Sequence, residues 1–154
     1  YRKTASLFCT ASESGAVLGE APENEVGALR DYGYNIGMAF QVRDDLLDFQ
    51  GDPSNLGKPV GSDLLNGVLT LPTIMLMERY PHDDLVQSLF KDRENDTKLQ
   101  KVVEVINDST ILPDCEQVVQ EYSHKACQAL QNLPDCPPKQ SLLDLAYYIT
   151  ARRR

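Results

Sequence analysis

Residues 40–63 read FQVRDDLLDFQGDPSNLGKPVGSD, and this stretch decides how the rest of the chain is interpreted. Three acids, Asp44, Asp45 and Asp48, close a long segment of periodically spaced apolar residues that stops at Gly51. Apolar residues at this spacing predict a helix. Residues three and four positions apart in a helix share a face, so the side chain of Asp48 neighbours both other acids. We call these three residues the acidic cluster.

The acidic cluster has no compensating charge within its helix, since no Lys or Arg lies three or four positions from any of its members. Like charges at this spacing, and the negative end of the helix dipole, each cost a few tenths of a kcal/mol. We therefore expect a cation from outside the helix. Carboxylates without His or Cys favour a hard ion such as Mg²⁺. The alternative is a solvated acidic surface, because a DDxxD pattern alone has little specificity.

The loop that follows the acidic cluster carries a cation of its own. Lys58 lies between Gly57 and Pro59, and Gly61 and Asp63 follow. Lysine is a common partner of phosphate groups in proteins. A lysine in such a loop, close to carboxylates, suits an anion that a metal ion bridges to those carboxylates. The combination favours a diphosphate ligand.

Two longer segments carry a family resemblance. GYNIGMAFQVRDDLLDFQGD and LGKPVGSDLLNGVLTLP resemble the second Asp-rich region of the trans-isoprenyl (polyprenyl) diphosphate synthases. Upstream, KTA at residues 3–5 and ASESG at residues 11–15 resemble the helix that precedes this region in that family. The resemblance runs with good spacing from residue 1 to about residue 80, and loosely to the C-terminus. It implies an all-α fold, an isoprenoid-synthase-type helical array.

The resemblance also assigns roles to charged residues. Asp44, Asp45 and Asp48 would hold Mg²⁺ that bridges to the diphosphate of an allylic substrate, with Asp44 as the most direct ligand. Lys3 and Lys58 would contact the non-bridging oxygens and neutralise the departing pyrophosphate. Charge would then be stabilised where it develops as the C–O bond ionises.

The remaining implied site residues are polar or aromatic. Thr4 and Gln41 would orient the diphosphate or stabilise the carbocation. Phe40 would line the apolar substrate cavity or belong to the core. The family's reaction is a prenyl transfer in which isopentenyl diphosphate attacks the allylic cation and lengthens the chain by one isoprene unit. The family also makes a homodimer the expected assembly.

Two departures from the family pattern stand out. Val68 lies where the family usually carries a Lys before Thr-Leu-Pro, so one diphosphate contact is expected to be missing. The family's first Asp-rich motif and the residues that set product length precede the region that this chain resembles. We therefore expect residues 1–154 to be a single helical domain, the C-terminal half of such an enzyme and a fragment that lacks the N-terminal half. On its own it is expected to be inactive.

Three functional hypotheses follow. The first is the C-terminal part of an active prenyltransferase. The second is a non-catalytic synthase-like subunit that modulates a competent partner, and Val68 is its support in the sequence. The third is a helical interaction module in which the acidic cluster is part of the solvated surface. Mg²⁺-dependent binding of pyrophosphate separates the third hypothesis from the others.

Composition narrows the class of protein. A formal net charge of −8 over 154 residues makes a nucleic-acid backbone an unfavourable partner. No apolar run is long enough to cross a bilayer, and Tyr1 does not begin a signal-peptide pattern. The four cysteines form no CxxC pair, so we expect reduced thiols in a cytoplasmic protein. His124 and Cys127 are three positions apart, but two ligands do not make a zinc site.

The hydrophobic pattern predicts helices throughout, with strand signals almost absent. Asn24 is the expected N-cap of the second helix, Ser62 or Asp63 that of the third, and Pro72 is expected to kink or restart the third. The predicted ranges are 3–18, 24–50, 62–79, 82–91, 95–107, 113–133 and 138–152. Glycines inside the second helix, at about 1 kcal/mol each against alanine, suggest that another helix or a ligand passes close by. They are Gly27, Gly33 and Gly37.

Two features near the C-terminus receive structural interpretations. Tyr147 and Tyr148 are expected to serve packing rather than function. Arg152, Arg153 and Arg154 follow the last helix, where positive charge complements the helix C-terminus by about 0.3–1 kcal/mol at most. A diphosphate contact by this basic C-terminus is the less favoured alternative.

Overall fold

A computed structural model of the protein describes residues 1–50, 60–92 and 95–152, and all regular secondary structure in these ranges is helical. The predicted all-α class is confirmed. None of the helices in these ranges is long and apolar enough to span a membrane. The helices are α1 (Ala5–Leu18), α2 (Glu23–Gln50), α3 (Ser62–Leu65), α4 (Leu71–Arg79), α5 (Leu85–Lys91), α6 (Asp96–Asn107), α7 (Ile111–Ala129) and α8 (Pro137–Ala151).

The start of α2 differs from its prediction. Asn24 is not the N-cap, because α2 already begins at Glu23. The backbone N–H groups of Glu25 and Val26 both donate to the carbonyl of Pro22, at 2.9 and 3.0 Å. The chain therefore turns into the helix at proline, and Asn24 lies inside the first turn.

The helix predicted at 62–79 is two helices. Neither Ser62 nor Asp63 caps α3, because the N-cap is Gly61, whose φ of 76° is in the left-handed region that glycine adopts without strain. A second left-handed glycine, Gly67 with φ 81°, separates α3 from α4. Pro72 lies in the first turn of α4, so it restarts the helix as one of the two expected outcomes.

The C-terminal helices differ only at their ends. The helix predicted at 82–91 begins later, at Leu85, and that predicted at 113–133 runs from Ile111 to Ala129. Asn95 caps α6 by accepting the N–H of Lys98 at 3.2 Å, so the predicted start near residue 95 is confirmed. The prolines at 137 and 138 open α8 instead of forming a turn before it, because a first-turn residue needs no N–H donor.

The described residues form two compact units, each with its own interior. Unit A comprises residues 1–43 and 117–152, and unit B comprises residues 44–116. In unit A, α1 crosses α2 at two glycines. A Cβ atom on Gly37 would lie 2.6 Å from the Cα of Ala5, and one on Gly33 would lie 2.5 Å from the carbonyl oxygen of Phe8. A helix therefore passes close to Gly33 and Gly37, as predicted, whereas Gly27 has nothing within 4 Å.

A buried arginine joins α2 to the end of α8 within unit A. Arg43 is only 4% exposed. Its Nε donates to the carbonyl of Ile149 at 3.2 Å, and its Nη2 donates to that of Thr150 at 2.6 Å. These carbonyls belong to the last turn of α8, where positive charge also complements the helix dipole. Arg43 is not among the residues for which the sequence predicted a role.

The two tyrosines predicted to serve packing are largely exposed in this chain. Tyr147 and Tyr148 are each 63% exposed on α8. The buried positions of this helix are Ala146 and Ile149, and the two tyrosines lie between them in the sequence, on the outer side of the helix. More than half of the surface of each tyrosine is therefore left uncovered by this chain.

Unit B is built around α6. Its buried positions are Leu99, Val102 and Ile106, and the helix packs against α4 and α5. At the C-terminal end of α4, the Arg79 guanidinium donates to the Asp114 carboxylate at 2.5 Å and to the Thr110 hydroxyl at 2.7 Å. This ion pair ties the end of α4 to the start of α7.

Candidate active site

The acidic cluster lies in the last two turns of α2 and belongs to unit B. Asp45 is buried, with 8% of its surface exposed, whereas Asp44 and Asp48 are half-buried. None of the three side chains is fully solvated. A solvated acidic surface, the alternative considered from the sequence, does not describe a buried carboxylate.

Asp45 faces the beginning of α4. Its Oδ2 accepts the backbone N–H of Leu71, the first residue of that helix, at 3.2 Å. The first N–H groups of a helix have no partner within the helix, and the helix dipole is positive there. On either side of Leu71, Thr70 and Thr73 are buried, and the N–H of Thr70 donates to the Thr73 hydroxyl at 3.1 Å. Asp45 therefore provides, from outside α4, an acceptor for a backbone N–H in the first turn of that helix.

Asp48 holds the residues that open α3. Its Oδ1 accepts the Ser62 hydroxyl at 2.8 Å, and its Oδ2 accepts the N–H of Asp63 at 3.2 Å. Its own carbonyl accepts the N–H of Gly61 at 2.9 Å. Burial raises the pKa of the Asp48 carboxyl, and the hydrogen bonds from Ser62 and Asp63 only partly offset this effect.

The acidic cluster fits Mg²⁺ by donor type, because it offers carboxylate oxygens alone. Within the described ranges, no three acidic, His or Cys side chains converge closely enough to hold a metal ion by themselves. Mg²⁺ is commonly bound by one or two carboxylates together with water and substrate phosphates. Coordination of the ion by one carboxylate of the acidic cluster and by a diphosphate would agree with this preference of Mg²⁺.

Thr4 and Gln41 form a hydrogen bond in unit A. The Thr4 hydroxyl donates to the Gln41 Oε1 at 2.5 Å, so the two residues expected to act together do meet. This contact orients the amide, with its oxygen towards Thr4. The preceding Lys3 is exposed.

Phe40 has an aromatic and a cationic neighbour in unit A. Its ring lies 5.5 Å from that of Phe8, centroid to centroid, and the Arg152 guanidinium lies 5.2 Å from its centroid. A guanidinium at this distance from an aromatic face is attracted by the ring quadrupole. Phe40 is half-buried, which leaves both predicted roles, cavity lining and core packing, open.

Other residues considered from the sequence are placed as follows. Lys58, Arg153 and Arg154 lie outside the described residues. Val68 is 41% exposed. His124 pairs with the side chain of Gln128 at 2.9 Å on α7, and the described residues give it no metal-binding group.

Sequence reasoning missed the residues that hold the acidic cluster and α2 in place. Ser62 and Leu71 were not recognised as donors to Asp48 and Asp45, because their positions depend on how the chain returns after residue 60. Arg43 did carry a signal. It lies on the same helical face as the buried Ile36 and Ala39, so a charge at that position called for a buried partner.

Comparisons with known proteins agree with this arrangement. The sequence profile of the Polyprenyl synthetase family matches residues 1–106. Octaprenyl diphosphate synthase of Escherichia coli is 39% identical over 157 residues, covering all of this chain and 48% of that protein. The chain spans about half the length of the curated relatives it matches.

Solved structures give the same result. Heptaprenyl diphosphate synthase of Staphylococcus aureus superposes with a TM-score of 0.90 at 35% identity, covering 99% of this chain and 48% of that one. Polyprenyl synthase of Caulobacter crescentus, solved with calcium and isoprenyl diphosphate, superposes with a TM-score of 0.87 at 35% identity, covering 99% and 47%. The helical array is thus that of the isoprenoid synthases. In both sequence and structure, this chain belongs to the polyprenyl synthetase family.

Proposed function

We propose that the protein is a prenyltransferase that condenses an allylic diphosphate with isopentenyl diphosphate to elongate an isoprenoid chain. Its family and the names of its relatives support prenyl chain elongation. The observation that carries the proposal is the anchoring of the acidic cluster. Asp45 and Asp48 are fixed by donors from unit B, and Asp44 is half-buried beside them.

The acidic cluster is the proposed magnesium-binding group, with Asp44 as its most direct ligand. Bound Mg²⁺ would supply positive charge to the diphosphate as the allylic C–O bond ionises. The relative from Caulobacter crescentus, crystallised with calcium and isoprenyl diphosphate, supports a divalent cation with a diphosphate ligand in this family. Lys3 and Lys58 would contact the non-bridging oxygens and neutralise the leaving pyrophosphate.

Thr4 and Gln41, in unit A, would orient the diphosphate or stabilise the carbocation. The hydrogen bond from Thr4 fixes the Gln41 amide, so that its dipole is oriented before the cation develops. Phe40, held between Phe8 and Arg152, would line the apolar cavity. These roles agree with the contacts within unit A.

Residues 1–154 would be the C-terminal part of one larger helical domain. In it, the acidic cluster faces a second set of carboxylates from an N-terminal half, in a homodimeric cytoplasmic enzyme. Unit A supports a further covering segment, because Leu7 and Leu18 on the outer face of α1 are 72% and 84% exposed. Apolar side chains exposed to this extent on one face mark a surface for interaction. The chain by itself would not turn over substrate.

Calorimetric titration of the 154-residue chain with pyrophosphate tests the proposal. We expect binding that is at least ~10-fold tighter with Mg²⁺ than with EDTA, since the carboxylates repel the anion without the ion. Adding the half of the Escherichia coli relative that this chain does not cover should strengthen binding and permit prenyl transfer. Absence of Mg²⁺-dependent binding in both settings would contradict the proposed function.

Val68, at a position where the family usually carries a Lys, favours a second candidate, a non-catalytic subunit of a prenyl synthase. Under the first proposal, Val68→Lys is expected to tighten Mg²⁺-dependent pyrophosphate binding by ~10-fold, because a charge-assisted contact contributes about 1.5–3 kcal/mol. The control is Leu69→Lys, which adds the same charge at the neighbouring residue, 43% exposed. Equal effects of both variants would show a general charge effect. If neither variant binds pyrophosphate, the helical interaction module considered from the sequence is favoured over both candidates.

A further inference from the structure

We infer that Asp45 is a positioning residue of the magnesium site, acting through the first turn of α4. The inference rests on the proposed function, because it divides the work among the three carboxylates assigned to Mg²⁺. Asp44 meets the ion directly. Asp45 acts by fixing the part of α2 that carries Asp44.

The Asp45 side chain points to a buried side of α2. Successive residues of an α-helix are rotated by about 100° around its axis. Asp44 and Asp45 therefore point about 100° apart around the helix, and Asp48 lies between them, within reach of both. The side of α2 to which Asp45 points is buried, since Asp45 is 8% exposed and Phe49, four positions later on the same side, is 2% exposed.

Asp45 accepts a hydrogen bond from a backbone N–H at the start of α4. Its Oδ2 accepts the N–H of Leu71, and a carboxylate at a helix N-terminus is favoured by both the free N–H group and the dipole. The charge of the Asp45 carboxylate also affects a buried thiol of unit B. Burial, followed by the negative charges of Asp114 and Asp45, raises the pKa of the Cys115 thiol to about 12. Burial is the largest cause of this shift, and the charge of Asp45 is one of its smaller causes.

The consequence concerns the rotation of α2 about its axis. A helix end is free to turn and fray unless side chains hold it, and the C-terminal end of α2 has no basic residue in its last turn. The contact between Asp45 and Leu71 fixes that rotation, and the contacts of Asp48 with Ser62 and Asp63 agree with it. The carboxylate of Asp44 is thereby presented in one direction, which a metal–diphosphate site needs.

Four variants of the 154-residue chain test the inference: Asp45→Asn, Asp45→Ala, Asp44→Asn and Arg79→Met. Asparagine keeps an acceptor for the Leu71 N–H, whereas alanine removes it. Arg79→Met breaks the ion pair with Asp114 at the other end of α4, so it controls for loss of stability alone. The readouts are hydrogen exchange of the Leu71 amide by NMR and calorimetric binding of pyrophosphate with Mg²⁺.

Asp45→Ala is expected to speed exchange of the Leu71 amide by at least ~10-fold and to weaken pyrophosphate binding by ~30-fold. Asp45→Asn should recover most of both losses, and Arg79→Met should change binding by less than ~3-fold. Asp44→Asn should leave the exchange rate unchanged while losing binding. This split separates a residue that positions the site from a residue that holds the ion.

Two results would overturn the inference. One is loss of binding in Asp45→Asn as large as in Asp44→Asn, which would make Asp45 a direct ligand. The other is equal exchange of the Leu71 amide in wild type and Asp45→Ala, which would show that no tether exists. Absence of Mg²⁺-dependent binding in the wild type would instead remove the proposed function, and the exchange rates would still decide whether Asp45 holds α4.

Discussion

Asp44→Asn is expected to weaken Mg²⁺-dependent pyrophosphate binding by at least ~100-fold, about 2.7 kcal/mol. Asp44 is half-buried on the helical face that it shares with Asp48. Asparagine keeps the shape of the side chain but removes the negative charge that attracts a hard cation. The free energy of unfolding should change by less than about 0.5 kcal/mol, because the substitution also relieves repulsion among the acids.

The control for this variant is Asp31→Asn, which removes the same charge from an exposed position of the same helix. Both variants lower the net negative charge equally, so only a local effect separates them. Titration calorimetry gives the affinities, and urea unfolding gives the stabilities. If the two variants bind pyrophosphate equally well, Asp44 is not a ligand of the ion.

Gly37→Ala is expected to destabilise the protein by about 3 kcal/mol. The added methyl group would lie 2.6 Å from the Cα of Ala5, and 3.0 Å from the Cβ atoms of Ala5 and Phe8. Because the nearest of these atoms belongs to the backbone of α1, a change of rotamer cannot relieve the clash. The helices would have to move apart and lose part of their contact.

Gly27→Ala provides the matched control on the same helix. A Cβ atom there meets nothing within 4 Å, so the higher helix propensity of alanine should stabilise the chain by about 0.5–1 kcal/mol. Opposite shifts of the urea midpoint are the expected result. Unfolding midpoints that move in the same direction would show that close approach of α1 does not determine the choice of glycine at residue 37.

Periodicity predicted the existence of nearly every helix in the described residues. The long segment ending in the acidic cluster kept its apolar spacing to the end, and α2 accordingly reaches Gln50. Gly33 and Gly37 also indicated a close neighbour correctly. Where the prediction at 62–79 was wrong, the cause was local, because Gly67 adopts a left-handed φ that interrupts the helix.

The hydrogen-bond partners of the site residues could not be predicted from the sequence. A helical pattern gives the face on which Asp45 lies, but it does not say that the donor is the N–H of Leu71, 26 positions later. Arg43 and its carbonyl acceptors in α8 are separated by more than 100 positions. Such contacts depend on how the helices pack, which periodicity does not encode. Thr4 and Gln41 were given a shared role through the family resemblance alone, and the hydrogen bond between them was not predicted.

The crossing of α1 over α2 limits how pieces of this protein can be recombined with those of its relatives. Gly37 leaves room for one methyl group from α1, and Ala5 provides it. A chimaera that imports its first helix from another synthase would keep this crossing only if the donor also has alanine or glycine at that position. Breakpoints chosen after residue 50 would carry both helices together and preserve the match.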